Sequence, residues 1–394
     1  MLFFLISVAV VALVYGYCGW RLIVPAHLTG ASAIAAWGTL ILLASLTHVY
    51  HVLLRDSPRY ARARDATAWF AYSGIALATL TFTLLVLRDL GWLLYLGISG
   101  AASYITGTVI ELPGEADAIE TTNFGVVTLS VAATGFGMFQ ARRRPRIVDI
   151  TIPIRNLPPA LHGFRIAQIS DLHVGPTIKA PFVKRIVETV NELDADLVAF
   201  VGDLADGPVE RLRPHVAALA GLRSRHGTFF VTGNHEYFSG VTEWLGEIRS
   251  LGMKVLLNEN RLIQHGEGRL VIAGVTDFGA AEIVPELTEH AHDPHAALAD
   301  AAPSDVRVLL AHQPRSISSS LETGFDLLLC GHTHGGQFIP WNFIVPLQQP
   351  YLAGLHQVGD SSWIYVSRGT GYWGPPVRVN APSEITRITL QPLA

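Results

Sequence analysis

Charge is scarce in this chain of 394 residues: Lys, Arg, Asp and Glu together make up 15% of it, against roughly a quarter in an average soluble domain. Hydrophobic residues account for 50% and the mean hydropathy is +0.35, so part of the chain is expected in lipid. A basic excess is missing too. The formal net charge of -4 lacks the electropositive footprint of a general nucleic-acid binder, and no nucleic-acid partner is expected. Cysteine is limited to Cys18, in an apolar N-terminal run, and Cys330, in a predicted core strand. Two thiols so placed exclude a disulfide framework, and Cys330 reads as a small buried hydrophobe. Internal repeats and low-complexity tracts are absent as well.

Long apolar runs are present. Residues 2–20, 31–54, 66–87 and 121–140 are each long enough to span a bilayer. A further run, 90–110, is richer in Gly, Ser and Thr and follows Arg88-Asp89, which reads as a hairpin turn at the interface. No basic residue precedes the first run and no small-X-small site ends it, so an uncleaved anchor is expected rather than a signal peptide. Tyr17 before Cys18 also fits a lipoprotein site poorly. Arginines cluster at Arg55, Arg59, Arg62 and Arg64, and again at Arg142, Arg143, Arg144 and Arg146; Glu111, Glu115, Asp117 and Glu120 lie between. The positive-inside rule puts both clusters on the cytoplasmic side, which requires an even number of crossings between them. Three spans there would separate them, so either the 90–110 run does not cross or one cluster breaks the rule. No intramembrane charge stands out as a transport residue.

After Arg146 the texture changes. Residues 151–154 and 157–159 carry prolines and read as a linker with an edge strand. From Phe164 on, short apolar runs alternate with helical patterns at 180–193, 211–222 and 242–251, the mark of an α/β domain. Each of five apolar runs ends in side chains that bind metals. Run 165–170 leads into Asp171-Leu172-His173, 197–201 into Gly202-Asp203, and 228–232 into Gly233-Asn234-His235-Glu236. Run 306–311 leads into His312, and 327–330 into Gly331-His332-Thr333-His334. Open α/β sheets bind ligands beyond the C-terminal ends of their strands, so these groups can converge. Further strands are expected at 270–276, 363–367 and 385–390, the last two suited to a second sheet.

The ordered set Asp-X-His, Gly-Asp, Gly-Asn-His-Glu, His and Gly-His-X-His resembles the calcineurin-like metallophosphoesterase family from about Phe164 to the C-terminus. Gly233 to Tyr237, Ala311 to Pro314 and Gly331 to Gln337 resemble its membrane-anchored branch. Glu236 stands where Asp is common. The resemblance implies an N-terminal helical membrane domain (1–145, four or five helices) and an α/β calcineurin-like phosphoesterase domain (146–394). The latter is expected as a four-layer β-sandwich flanked by helices. It implies two divalent ions with Asp203 as the anionic bridge. Asp171, His173 and His334 would complete one site with Asp203, and Asn234, His312 and His332 the other. Such a thiolate-free shell suits Mn, Fe or Zn.

In the family His235 stands near the leaving group, where an imidazolium donates a proton, and Asp171 is a candidate to orient it. The reaction implied is hydrolysis of a phosphoester or pyrophosphate bond by a metal-bridging hydroxide. Arg368 is read either as a phosphate grip or as a surface ion pair. Trp341, Phe343, Tyr351, Tyr372 and Trp373 read as an apolar rim for a lipid tail, as a surface that docks on the membrane, or as ordinary loop packing. The remaining histidines, His162, His215, His226, His265, His290, His292, His295 and His356, are read as surface or loop residues. The expected protein is an integral membrane phosphoesterase of the plasma (inner) membrane, acting on a phosphoester that includes lipid-linked ones. The alternative is a catalytically weak binding or sensing protein that retains the fold. A transporter with an accessory domain lacks supporting polar residues.

Overall fold

The computed structural model describes residues 2–54, 60–108, 115–302 and 305–393. Two compact units emerge: Met1–Phe139 with Gly374–Val377, and Gln140–Trp373 with Arg378–Ala394.

Among the described residues of the first unit, four helices are long and apolar enough to cross a membrane. They are α1 (Leu2–Leu22), α2 (Gly30–Val49, continued by a π-helical turn Tyr50–Leu54), α3 (Ala61–Thr106) and α4 (Glu115–Arg142). Apolar side chains such as Leu13, Ile34, Ile41, Phe70 and Phe139 are exposed all round them, as lipid-facing helices require. α3 corrects one expectation. Its 46 residues run without a break through Arg88 and Asp89, so the runs at 66–87 and 90–110 form one helix and no hairpin separates them. Neither residue breaks a helix, and their charges find partners inside the bundle. Asp89 accepts from Arg21 at 2.8 Å and Arg88 at 2.9 Å, and from the Tyr17 hydroxyl.

α4 meets α3 where Arg88 bonds Asn123, and Leu85 and Val126 share a buried cluster with Cys18. If α3 and α4 each cross once, two crossings separate Arg62 and Arg64 from Arg142, the even number that the charge pattern demands. Arg55, Arg59, Ile110 and Glu111 of that pattern lie outside the described residues.

The second unit is built on two six-stranded sheets. The strands are β1 (Arg146–Ile154), β2 (Arg165–Ile169), β3 (Leu197–Val201), β4 (Thr228–Val231), β5 (Lys254–Val255), β6 (Glu259–His265), β7 (Gly268–Gly274), β8 (Val306–Leu310), β9 (Leu327–Cys330), β10 (Gly354–Val358), β11 (Ser362–Val366) and β12 (Glu384–Pro392). The first sheet has the order β1-β12-β2-β3-β4-β5 and the second β10-β11-β9-β8-β7-β6. Side chains alternate across each strand. Leu197, Ala199, Val201, Phe229 and Val231 thus meet Ile272, Val308, Leu310, Leu327 and Leu329 between the sheets.

The opposite residues, Val198, Phe200 and Phe230, face the helices α5 (Ala180–Asn191), α6 (Val209–Val216) and, after the short α7 (Asn234–Phe238), α8 (Val241–Ser250). The outer face of the second sheet packs Leu309, Leu328, Cys330 and Ile364 against Leu298 and Ile317. The result is four layers, and Cys330 is fully buried among them.

Two expectations about strand placement change. Residues 385–390 belong to the first sheet, where β12 pairs parallel to β1 and antiparallel to β2. Ile385 enters the helix-side core while Ile388 and Leu390 enter the inter-sheet core, so β12 is buried on both faces. Alternation alone cannot assign such a strand to a sheet. The expected linker also shortens, because β1 begins at Arg146 and only residues 143–145 separate it from α4.

Candidate metal centre

Every ligand candidate leaves the C-terminal end of a strand. Asp171 and His173 follow β2, Asp203 and Asp206 follow β3, Asn234 and His235 open α7 after β4, His312 follows β8, and His332 and His334 follow β9. Five of them, Asp171, His173, Asp203, His332 and His334, hold φ between 49° and 69°. Non-glycine residues avoid this left-handed region at a cost on the order of 1–3 kcal/mol each. The chain accepts the strain because a sharp reversal just past the strand turns each side chain back over the sheet edge. Two motif glycines make room for these turns. A Cβ at Gly233 would collide with the Asp203 carboxylate, and one at Gly331 with that of Asp171.

The side chains converge in three groups whose ligand atoms lie within 4.8 Å of one another: Asp171, His173 and His334; His173, Asp203 and His235; Asp203, His312 and His332. Asp203 Oδ2 is 3.0 Å from His312 Nε2 and 3.7 Å from His173 Nε2, and so touches both ends of the site. His173 Nε2 and His334 Nε2 approach to 3.0 Å, and His312 Nε2 and His332 Nδ1 to 3.3 Å. The Asn234 side-chain oxygen is buried and has no hydrogen-bond partner among the described residues. Converging lone pairs and an orphaned amide oxygen form a donor set that fits cations, with oxygen and nitrogen ligands of the type Mn, Fe or Zn accept.

Electrostatics points the same way. Burial alone would raise the Asp203 carboxyl, but the His312 and His235 imidazoles outweigh it and hold the group well below the usual carboxylate range. For His332, burial reinforced by His312 pushes the ring down to about 3. Burial and the Arg378 guanidinium keep His334 neutral as well. His312 is the exception: burial is outweighed by Asp203, which draws a proton onto the ring. A metal ion replaces such a proton when it binds.

His235 behaves differently. Its Nδ1 bonds Asp206 Oδ1 at 2.6 Å, while Nε2 faces the Asp203 carboxylate at 4.0 Å. Burial lowers its pKa, but Asp203 and Asp206 raise it further, to about 9. Asp206 was not singled out from the sequence, since it lies three residues beyond the Gly-Asp motif in a loop. It also bonds His173 Nδ1 at 3.0 Å, and so orients two rings at once. This corrects the role foreseen for Asp171, whose carboxylate accepts the His332 backbone N–H at 3.0 Å and faces His334 Nε2 at 3.5 Å.

Glu236 carries more than the motif suggests. Its carboxylate accepts the backbone N–H groups of Asp203, Leu204 and Gly233, stapling the loops after β3 and β4 together. Burial and the neighbouring Asp203 push its pKa up to about 8. Arg378, also unforeseen, donates to His334 Nδ1 at 2.9 Å and to the carbonyls of His334, Gly371 and Ala381. Gln313 of the Ala-His-Gln-Pro segment donates to buried Asp277 at 2.9 Å, which anchors the loop that carries His312.

Arg368 is an ion-pair residue: its guanidinium meets Glu384 at 3.0 Å. The aromatic set divides, with Tyr372 buried and Trp341, Phe343 and Trp373 exposed. Trp373 and Phe238 flank His235 with ring centroids at 6.1 and 5.7 Å. His290, among the histidines read as surface or loop residues, is buried and bonds the Tyr237 hydroxyl at 2.9 Å.

Residues 164–336 match the calcineurin-like phosphoesterase family. The chain is 37% identical over 294 residues to an uncharacterized metallophosphoesterase of Helicobacter pylori, covering 74% of this chain and 76% of that one. It is 39% identical over 274 residues to the transmembrane protein with metallophosphoesterase domain of Bos taurus, covering 67% of this chain and 61% of the relative. For the protein of that name in Danio rerio the identity is 35%, covering 70% and 65%. The similarity thus spans just under two thirds of the length of the two vertebrate relatives.

Proposed function

Since this chain belongs to the calcineurin-like metallophosphoesterase family, we propose that it is a membrane-anchored, two-metal phosphoesterase whose catalytic part is residues 146–394 and whose anchor is residues 1–145. One ion would be held by Asp171, His173, Asp203 and His334, the other by Asp203, Asn234, His312 and His332. The observation that carries this reading is the convergence of these side chains around a buried, unpartnered Asn234 oxygen. When bound, the ions supply Lewis-acid polarisation of the phosphoryl oxygens and an acidified water as nucleophile.

His235 supplies the proton for the leaving group. Asp206 fixes Nδ1, so the mobile proton sits on Nε2, and the two carboxylates keep the ring charged at neutral pH. Exposed Phe238 and Trp373 beside that ring, with Trp341, Phe343 and Leu347 exposed on the segment that follows His334, favour an amphiphilic substrate whose apolar part departs on the leaving-group side. Lipid-linked phosphoesters or pyrophosphates fit this description. The even number of crossings and the arginines at one end of α3 and α4 support a plasma-membrane orientation with the catalytic part cytoplasmic.

The test is metal analysis of the full chain with kcat/KM for acylated and deacylated versions of one phosphodiester and one pyrophosphate. Two divalent ions per chain and a preference for the acylated form are expected. Absence of hydrolysis in the fully metal-loaded protein would assign it to binding or sensing instead, and equal values for the two forms would remove the lipid preference.

A further inference from the structure

A polar cluster in the helical unit has no part in this chemistry. Asp89 pairs with both Arg21 and Arg88 at 2.8 Å, and Arg88 bonds Asn123, whose amide donates to the Arg21 carbonyl at 3.0 Å. Two guanidinium groups against one carboxylate leave one positive charge uncompensated among these residues. Next to them is a cavity of about 360 Å³ lined by Arg21, Arg88, Asp89, Trp92, Tyr95 and Thr122. Arg21 Nε and Trp92 Nε1 are buried, and among the described residues neither has an acceptor. The cavity wall is largely apolar, with Gly91 and Ile119 beside the aromatic rings, and the surplus positive charge and unmet N–H donors lie buried just behind it, the recognition chemistry of an oxyanion that carries an apolar tail.

Depth indicates which oxyanion. From Ala61 to Arg88, α3 rises about 42 Å, the thickness of a bilayer with its headgroup layers. Arg21 is the penultimate residue of α1, and its guanidinium lies 5.1 Å from the ring of exposed Trp20. With Trp92 and Tyr95 this forms the aromatic belt that marks a membrane interface. Glu120, at the same end, is exposed and does not line the cavity.

We propose that this cavity binds a phosphate group, at the level where membrane phospholipids present theirs. The proposal concerns binding only and does not depend on the phosphoesterase reading.

The full-length protein, delipidated in detergent, is titrated with phosphatidylglycerol, with diacylglycerol and with inorganic phosphate, and bound ligand is counted by native mass spectrometry. Trp92→Phe keeps the ring and removes one donor; Arg21→Gln removes the charge and leaves the Arg88–Asp89 pair. Phosphatidylglycerol is expected to bind at about one per chain and diacylglycerol not at all. Each variant is expected to weaken phosphatidylglycerol binding by about tenfold. Inorganic phosphate bound at the same residues, with no phospholipid, would keep the site and assign it a soluble source. Equal binding of phosphatidylglycerol and diacylglycerol overturns the proposal, as does unchanged binding in Trp92→Phe with wild-type helicity by circular dichroism.

Discussion

The two sheets of the sandwich bring unlike chemistry to one site. Asp171, Asp203, Asp206 and Glu236, with Asn234, His173 and His235, leave the first sheet; the ligand candidates of the second are the imidazoles of His312, His332 and His334. Each half is held in place by the other. The Val201 carbonyl at the end of β3 bonds His312 Nδ1 at 2.8 Å, and Asp171 holds the His332 backbone. The carboxylates are therefore gathered where backbone N–H groups already receive them, while the imidazoles come from the facing edge and add ligands without adding negative charge. The apolar layer between the sheets, from Val201 and Val231 to Leu310 and Leu329, sets the geometry of the site as much as the ligands do.

This division of labour can be broken most severely at Asp203, where the two ends of the site meet. Asp203→Asn is expected to lower metal content and hydrolysis together, the latter on the order of 10³-fold. A folded Asn variant with wild-type turnover and two ions would deny Asp203 the bridging role. Next come the rings of the second sheet, which should separate the two ions. His332→Ala is expected to lose the ion shared with His312 and Asn234, and His334→Ala the other, each with a fall in turnover of roughly 10²-fold. Elemental analysis showing both variants to lose the same ion would contradict the assignment.

His235, on the first sheet, binds no metal in this scheme. His235→Ala should keep both ions and lower kcat about 10²-fold for a poor leaving group, and far less for an activated one. Equal losses on the two substrates would make the residue structural. Asp206→Asn weakens the support of His173 and His235 together, and a loss of about tenfold with a shifted pH profile is expected; an unchanged profile would deny it the orienting role.

The mildest effect is expected away from the site. Asp305, just before β8, accepts from Arg269 at 2.7 Å, and this bond lowers its pKa against the opposing effect of burial. A depressed carboxyl stabilises the fold above its unfolded value of about 3.9 and loses that contribution as pH falls through the folded value. Denaturation of Asp305→Asn across the acid range should therefore show a shallower loss of stability below about pH 4, with activity at neutral pH unchanged. Parallel wild-type and variant curves would show that the pair contributes nothing.

By itself the sequence determined what depends on residue type and short spacing. The apolar runs predicted β3 and β9 at their observed limits and the other ligand-bearing strands to within a residue or so. Their following residues named the side chains that converge, because a strand carries whatever follows it to the sheet edge. Length and hydropathy likewise determined that several helices are suited to a membrane. What the tertiary structure decided are contacts between residues far apart in the chain. Asp206 matters because His173 and His235 both reach it, and Arg378 because His334 folds back over it, relations of 29 to 44 residues in sequence that no local pattern encodes. β12 joined the first sheet because both of its faces are buried. α3 runs whole through Arg88 and Asp89, where Arg21 of another helix joins their ion pair, a contact visible only once the helices are packed together.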